Sequence, residues 1–274
     1  MATSKENIML FGGQILFDAY DRKARLAPAL LAVAPLLTAA VLSFDNVTLL
    51  GRLATLLIAI GGLWLLADMS RGLGRAKERK LFARWGGMPS LQLIRHSDPL
   101  LDAHTKARYH ACLQSKAKVK FPSASEEAAD PIDADERYSS ALKWLLQHTR
   151  DKKRFPLLSA ENATYGFRRN GYGVRWIGFT ICVAAASWSL GAAALHADVS
   201  VLLSLVEPRT AIQLVLCLVF ALVWLVYFRE PMVRDAAFTY AHELLRCCEV
   251  IAAPSSSRRP KGDSGAPIRV VKSE

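Results

Sequence analysis

The stretch WIGFTICVAAASWSLGAAAL, residues 176–195, decides how this chain folds. It runs for 20 residues without a charged side chain, about the length a helix needs to cross a hydrocarbon core of ~30 Å. Three further apolar runs, Leu26–Phe44, Thr48–Ala67 and Ala211–Phe228, are of similar length and carry no charge near their centres. Arg52 lies near one end of its run, where a long side chain can reach the headgroups. Asp68 closes that run at the other end. Pro28 and Pro35 fall in the first run, and a kink is expected where Pro35 lacks a backbone donor. A cleaved signal is the competing reading of Leu26–Phe44, but the run exceeds the usual apolar core of such signals and follows a long leader. Four transmembrane helices in two pairs are therefore expected.

Basic residues give these spans a direction. Of the 35 Lys and Arg residues, 4 precede the first span, 21 lie between the second and third, and 8 follow the fourth, leaving Arg52 and Arg209. That asymmetry arises when both termini and the long middle segment face the cytoplasm. The expected location is a bacterial inner (plasma) membrane. A formal charge of +11 raises nucleic acid as a partner. Basic residues beside spans, however, fix topology and meet anionic headgroups, and here they are not gathered into one stripe. The lipid bilayer is the expected partner, and no nucleic acid. The five cysteines, Cys112, Cys182, Cys217, Cys247 and Cys248, form no disulfide framework. Two fall in spans and three on the side where thiols stay reduced.

Outside the spans the signals are helical, and the expected fold is all-α. Residues 1–25 read as an amphipathic segment suited to the inner interface, with Ile8, Phe11, Ile15 and Phe17 on one side. Residues 26–68 hold the first span pair and 176–228 the second. Between them, residues 69–175 suffice for one small cytoplasmic domain. Its first helix, Arg71–Trp85, continues the second span and stops at Gly86-Gly87. Asp98-Pro99 and Asp130-Pro131 each read as an N-cap followed by a first helical residue. The earlier of these helices should end near Lys116–Lys120, with Phe121-Pro122 and a Ser/Ala/Glu stretch as linker. The later one should run to about Thr149 and bury Tyr138, Ala141, Leu142, Leu145 and Leu146. A helix from Ser159 is expected to stop at Asn170-Gly171 before the third span. No useful period-2 alternation occurs, so strands are not expected.

Residues 231–252 form a C-terminal helix whose apolar seam is Val233, Ala237, Tyr240, Leu244, Cys247 and Ile251. Such a seam packs either on the middle domain or on its copy in another subunit. Residues 254–274 read as a disordered basic tail.

Little in the chain has catalytic spacing. Arg95-His96-Ser97-Asp98 resembles a metal or phosphohydrolase pair on the surface, but Asp98 reads more simply as a helix cap. His104, His110 and Cys112 lack a second pair to complete a tetrahedral set. Asp130, Asp133, Asp135 and Glu136 are first-turn acids on a solvated face. Phosphate-cradling loops, nucleophile elbows and HExxH are absent. No enzyme activity, cofactor or metal is expected. A coupled carrier is also disfavoured, because no span centre holds an ionisable group.

Two constellations remain. Tyr165, Arg168, Arg169 and Arg175 stand just before the third span; they suit either an anionic ligand or lipid phosphates. Gly178, Cys182 and Ala186, together with Ser187 and Gly191, put small residues four apart, a spacing that lets helix backbones approach in lipid. With Tyr240 and Leu244 of the seam, they are the candidate surface for a homo-oligomer.

The stretches Trp85–Pro89, Arg95-His96 with Asp98, Leu101-Asp102, Thr105–His110, Lys153–Pro156 and Tyr165–Asn170 together resemble a group of bacterial four-span membrane proteins that carry YGFRRN before the third span. The resemblance covers the middle domain and the edge of the third span, and it transfers no activity. In layout alone the chain is similar to pore-forming effectors of bacterial nucleotide-signalled defence.

The leading expectation is a non-enzymatic membrane effector, in which a cytosolic protein or an anionic nucleotide acts on the middle domain and the spans disturb or permeate the bilayer. The alternative is a membrane anchor or scaffold that recruits a cytosolic partner. An interfacial enzyme using His96, His104 or His110 is the third reading.

Overall fold

The computed structural model describes residues 19–43, 49–196 and 207–252. Most of the expected amphipathic segment and the whole basic tail lie outside them. The described residues are helical or connecting, with no strand among them. In chain order, after a single α-helical turn at Ala19–Asp21, the helices are α1 (Ala27–Ser43), α2 (Leu49–Trp85), α3 (Pro89–Ile94), α4 (Ala103–Ala117), α5 (Ala124–Ala129), α6 (Pro131–His148), α7 (Pro156–His196), α8 (Pro208–Leu222) and α9 (Glu230–Ala252). A π-helical turn, Arg22–Leu26, leads into α1, and a second, Val223–Tyr227, follows α8. Among the described residues, three helices are long and apolar enough to cross a membrane: Arg22–Leu42, Pro156–Leu195 and Pro208–Tyr227.

Two helices set the plan. α2 has 37 residues and α7 has 41, so at 1.5 Å per residue they extend roughly 55 and 60 Å. Each therefore continues well past an apolar bundle into a helical lobe built from α3–α6 and α9. α7 is the hub, packing against α1, α2, α8 and α9. Around its apolar end the bundle turns large apolar side chains outward: Trp188 is 56% exposed, Leu218 61% and Val41 77%. Water-soluble folds rarely expose a contiguous apolar surface of this kind.

The lobe core is formed by Leu93 and Ile94 of α3, Leu113 of α4, Tyr138, Leu142 and Leu145 of α6, and Leu244 and Leu245 of α9, all essentially buried. Each such aliphatic side chain contributes ~1.5–3 kcal/mol on burial. The seam of α9 thus packs on the chain's own lobe. Leu244 is 1% exposed, and Tyr240 is half-buried between two core clusters.

Several boundaries follow their local chemistry. α2 stops at Gly86 and Gly87, whose φ angles are 86° and 128°, and Gly87 N–H donates to Phe82 O (2.8 Å), the 6→1 closure of a helix end. Asp130 accepts from the N–H groups of Ile132 and Asp133 at the start of α6. Three expectations change. Asp98 does not cap a helix: Asp102 caps α4 by accepting from Thr105 N–H (2.8 Å), and Asp98 accepts from Leu100 N–H in a local turn. The supposed linker after Pro122 contains α5, held by a reciprocal capping box between Ser123 and Glu126. α7 does not stop at Asn170-Gly171 but runs unbroken through it. The glycine there is a packing notch, because a Cβ on Gly171 would collide with the Phe228 ring.

Candidate functional site

Where the bundle meets the lobe, α2 and α7 lie as close as backbones can. A Cβ on Gly173 would stand 2.5 Å from Gly74 N and 2.8 Å from Gly74 Cα. One helical turn further into the lobe, Glu78 of α2 meets α7. Arg169 forms an ion pair with it (3.1 Å), and the Tyr165 hydroxyl donates to the same carboxylate. The guanidinium also lies over the Tyr165 ring, 5.5 Å from its centroid. Arg169 and Glu78 are 10% and 18% exposed at the side chain, so each charge needs the other to offset its desolvation. Asn170 extends the node by accepting from Arg169 Nε (3.1 Å) and donating to Ala24 O (2.7 Å) in the turn before α1. Tyr165 stacks on Tyr240 of α9, with centroids 6.0 Å apart and rings 8° from parallel. Burial pushes the Tyr240 hydroxyl up to about 12. Four elements, α2, α7, α9 and the turn before α1, converge on this one polar point.

A second polar knot organises the lobe around the Arg95–Asp98 stretch. Glu127 accepts from His96 N–H (2.8 Å), Ser97 N–H (3.1 Å), the Ser97 hydroxyl (2.9 Å) and the Tyr138 hydroxyl (2.7 Å). Burial pushes its carboxyl up, but these donors outweigh burial and hold it below the usual carboxylate range. Arg95 is bidentate on Asp135 (2.8 and 2.6 Å) and donates to Gly86 O (3.0 Å). Lys106 donates to the carbonyls of Arg95 (2.7 Å) and Asp98 (2.5 Å). His110 turns inward, its Nε2 2.7 Å from Ile94 O, and burial lowers its pKa. A cleft of about 500 Å³ opens beside Arg95, His96, Ser97, Glu127 and Asp135. Its polar groups are already engaged in holding the loop together. His104 is exposed in the first turn of α4, and Cys112 Sγ donates to Cys248 O across the lobe core (3.4 Å). Among the described residues no three metal-capable side chains converge.

Of the residues expected to hold an anion, Tyr165 and Arg169 belong to the node. Arg168 is turned to Asp235 Oδ2 and Met232 O, both 3.0 Å away. Arg175 stands apart, stacked over Trp176 (4.6 Å) and Tyr172 (5.6 Å). The small residues divide as well. Gly178 receives the Trp224 ring from the π turn after α8, leaving no room for a Cβ. Cys182 lies in the same buried cluster, and Ala186 packs with Ala39, Ala185 and Cys217. Ser187 and Gly191 are exposed, with nothing within 4 Å of a Cβ on Gly191.

Sequence reasoning did not reach Glu78, Gly74, Trp224 or Gln213. Glu78 had a signal, being the single acid among the six cations of residues 71–84. Gln213 is 1% exposed in the bundle and donates to Pro35 O (2.9 Å), a bond that follows from no local pattern. Comparison with known protein families, curated proteins and solved structures finds no match for the chain.

Proposed function

We propose that the chain is a four-span inner-membrane protein with its lobe and both termini in the cytoplasm, and that it works as a non-enzymatic transducer and effector. The spans are Leu26–Phe44, Thr48–Ala67, Trp176–Leu195 and Ala211–Phe228. A nucleotide-like anion or a cytosolic protein acting on the lobe shifts the spans and permeates the bilayer. One observation carries this reading: α2 and α7 pass from bundle to lobe without a break and are keyed together at Gly74–Gly173 and Glu78–Arg169. No loop stands between them to absorb a displacement, so a tilt of either helix in the lobe reaches the bundle. Rigid elements of this kind transmit coupling when they have two discrete arrangements.

The non-enzymatic part rests on the engagement of Glu127, Asp135, Arg95 and His110 in internal bonds. A scaffold that recruits a partner through Tyr240 and Leu244 is less well supported, since both side chains pack within the lobe. Self-association through the open Ser187–Gly191 face belongs to the proposal.

The test is expression of the full chain in cells loaded with a potential-sensitive dye, with and without added nucleotides. Depolarisation that is lost in Glu78→Ala at equal membrane abundance is the expected result. An unchanged potential under every condition refutes the effector reading.

A further inference from the structure

Beyond the node, α2 carries a run of cations on its way into the lobe. Residues 71–84 hold Arg71, Arg75, Lys77, Arg79, Lys80 and Arg84, against the single acid Glu78. That acid is turned inward onto Arg169. Lys77, Lys80 and Arg84 recur at gaps of three and four and so share one face of the helix. With Leu81, Ala83 and Tyr172 of α7 they line a cleft of about 420 Å³ that has no carboxylate in its wall. Arg84 is held at one end by Glu230 (2.9 Å). Among the described residues Lys77 and Lys80 have no acidic partner, and both are exposed.

The height of this cleft above the bilayer follows from the contacts. Gly74 of α2 touches Asn170 and Gly173 of α7, so Arg71 stands near the level of Arg175 and Trp176 on the antiparallel helix. Trp176 is 56% exposed beneath the stacked Arg175, the arrangement of a headgroup-level anchor. Lys77 and Lys80 then lie roughly 9 and 13 Å beyond that level. Side chains on a helix lean toward its N-terminus. For α2 that direction is toward the bundle, so both ammonium groups are carried back into the headgroup layer.

We infer that the cleft between Lys77, Lys80 and Tyr172 binds the phosphate of an anionic lipid from the inner leaflet. The assignment rests on the reading that α2 and α7 cross the membrane with the lobe inside. The two ammonium groups supply charge and hydrogen-bond donors, the Tyr172 ring forms an apolar side wall, and Arg84 closes the end farthest from the bilayer. Such a lipid would bridge α2 and α7 at the level of the Glu78–Arg169 pair.

The test incorporates the full chain into phosphatidylcholine nanodiscs doped with phosphatidylglycerol. Native mass spectrometry then counts the phosphatidylglycerol retained after release into detergent. Retention should weaken by about fivefold for each lysine neutralised, so K77Q/K80Q loses most of it while K116Q on α4 keeps it. A photoactivatable phosphatidylglycerol should label residues 71–85 and 172–176 of the unaltered chain. Full retention in K77Q/K80Q, or labelling elsewhere, overturns the site. Displacement of the lipid by millimolar glycerol phosphate would assign the cleft to a soluble phosphate ester and overturn the lipid assignment. A chain stripped from membranes by carbonate refutes the spanning reading itself. A carbonate-resistant chain whose lipid survives K77Q/K80Q refutes the headgroup site alone.

Discussion

Between Arg169 and Gly178, α7 offers notches into which other elements are pressed: Gly173 against Gly74, Gly171 against Phe228, Gly178 against Trp224. Further along, Ser187 and Gly191, residues of the same small types, stand open. One helix thus uses one composition in two ways. Toward the lobe, small residues bring α2 and the aromatic turn after α8 close enough for a buried ion pair to form. Toward the other end they leave a face to be covered by lipid or by another chain. Small size permits close approach but does not choose the neighbour.

The hardest test of the difference is to remove charge at the crowded end. Glu78→Ala leaves Arg169 buried without its carboxylate and the Tyr165 hydroxyl without its acceptor. Breaking one side of a buried pair costs about 3–5 kcal/mol. The purified chain should therefore unfold at clearly lower temperature in detergent. A loss under about 1 kcal/mol, the ceiling for exposed pairs, would mean that the pair is hydrated and that the coupling argument lacks its lock.

Gly173→Ala comes next. The added methyl meets the backbone of Leu73 and Gly74, at 2.5 Å from the nearest atom, and backbone cannot rotate out of the way as a side chain can. A cost near 3 kcal/mol, the upper part of the usual range for overpacking, is expected. Gly178→Ala should cost less, because its added methyl meets the side-chain ring of Trp224 and not backbone. Equal melting temperatures for Gly173→Ala and the parent would show that α2 and α7 do not approach this closely.

The lobe supplies a contrast that depends on pH. Glu127 has its pKa depressed in the fold, so its contribution is present above the ordinary glutamate range and is lost as pH falls through the folded value. His110 is buried and depressed below 6.5. The unfolded chain therefore takes up a proton first, and stability declines as pH drops below that point. Acid should loosen the lobe before the bundle, and Glu127→Gln should flatten the lower part of the profile. Hydrogen exchange of α3–α6 against α7–α8 over the acid range would read this. Simultaneous loosening of both regions would contradict the assignment.

Much of the fold was legible because its signals are local. Run length and charge mark the apolar helices, Asp130-Pro131 begins α6, Gly86-Gly87 ends α2, and the period of the α9 seam points to its buried face. The errors share a cause. Asn170-Gly171 looks like a helix stop to any reader of neighbours, yet here the glycine makes room for Phe228 and the asparagine reaches Ala24, 146 positions away. Arg168 and Arg169 look like anion ligands until Asp235 and Glu78, 67 and 91 positions distant, are seen to occupy them. Free cations are therefore better sought where no acid is close in space, which moves attention from α7 to Lys77 and Lys80.

The smallest effect concerns the open end. Gly191→Ala adds a methyl with nothing within 4 Å and replaces a poor helix former. Unfolding should be unchanged or stabilised by up to about 1 kcal/mol. That outcome bears only on the single chain. If the Ser187–Gly191 face packs on a second copy, Gly191→Leu should lower the oligomeric fraction in detergent while leaving the chain's own unfolding where it was, and Ser187→Cys should cross-link between chains. If lipid alone covers the face, Gly191→Leu merely adds another lipid-facing leucine beside Trp188 and Leu195, with no change in mass distribution. The bulky substitution separates the two cases because, in this helix, only a neighbour makes a glycine necessary.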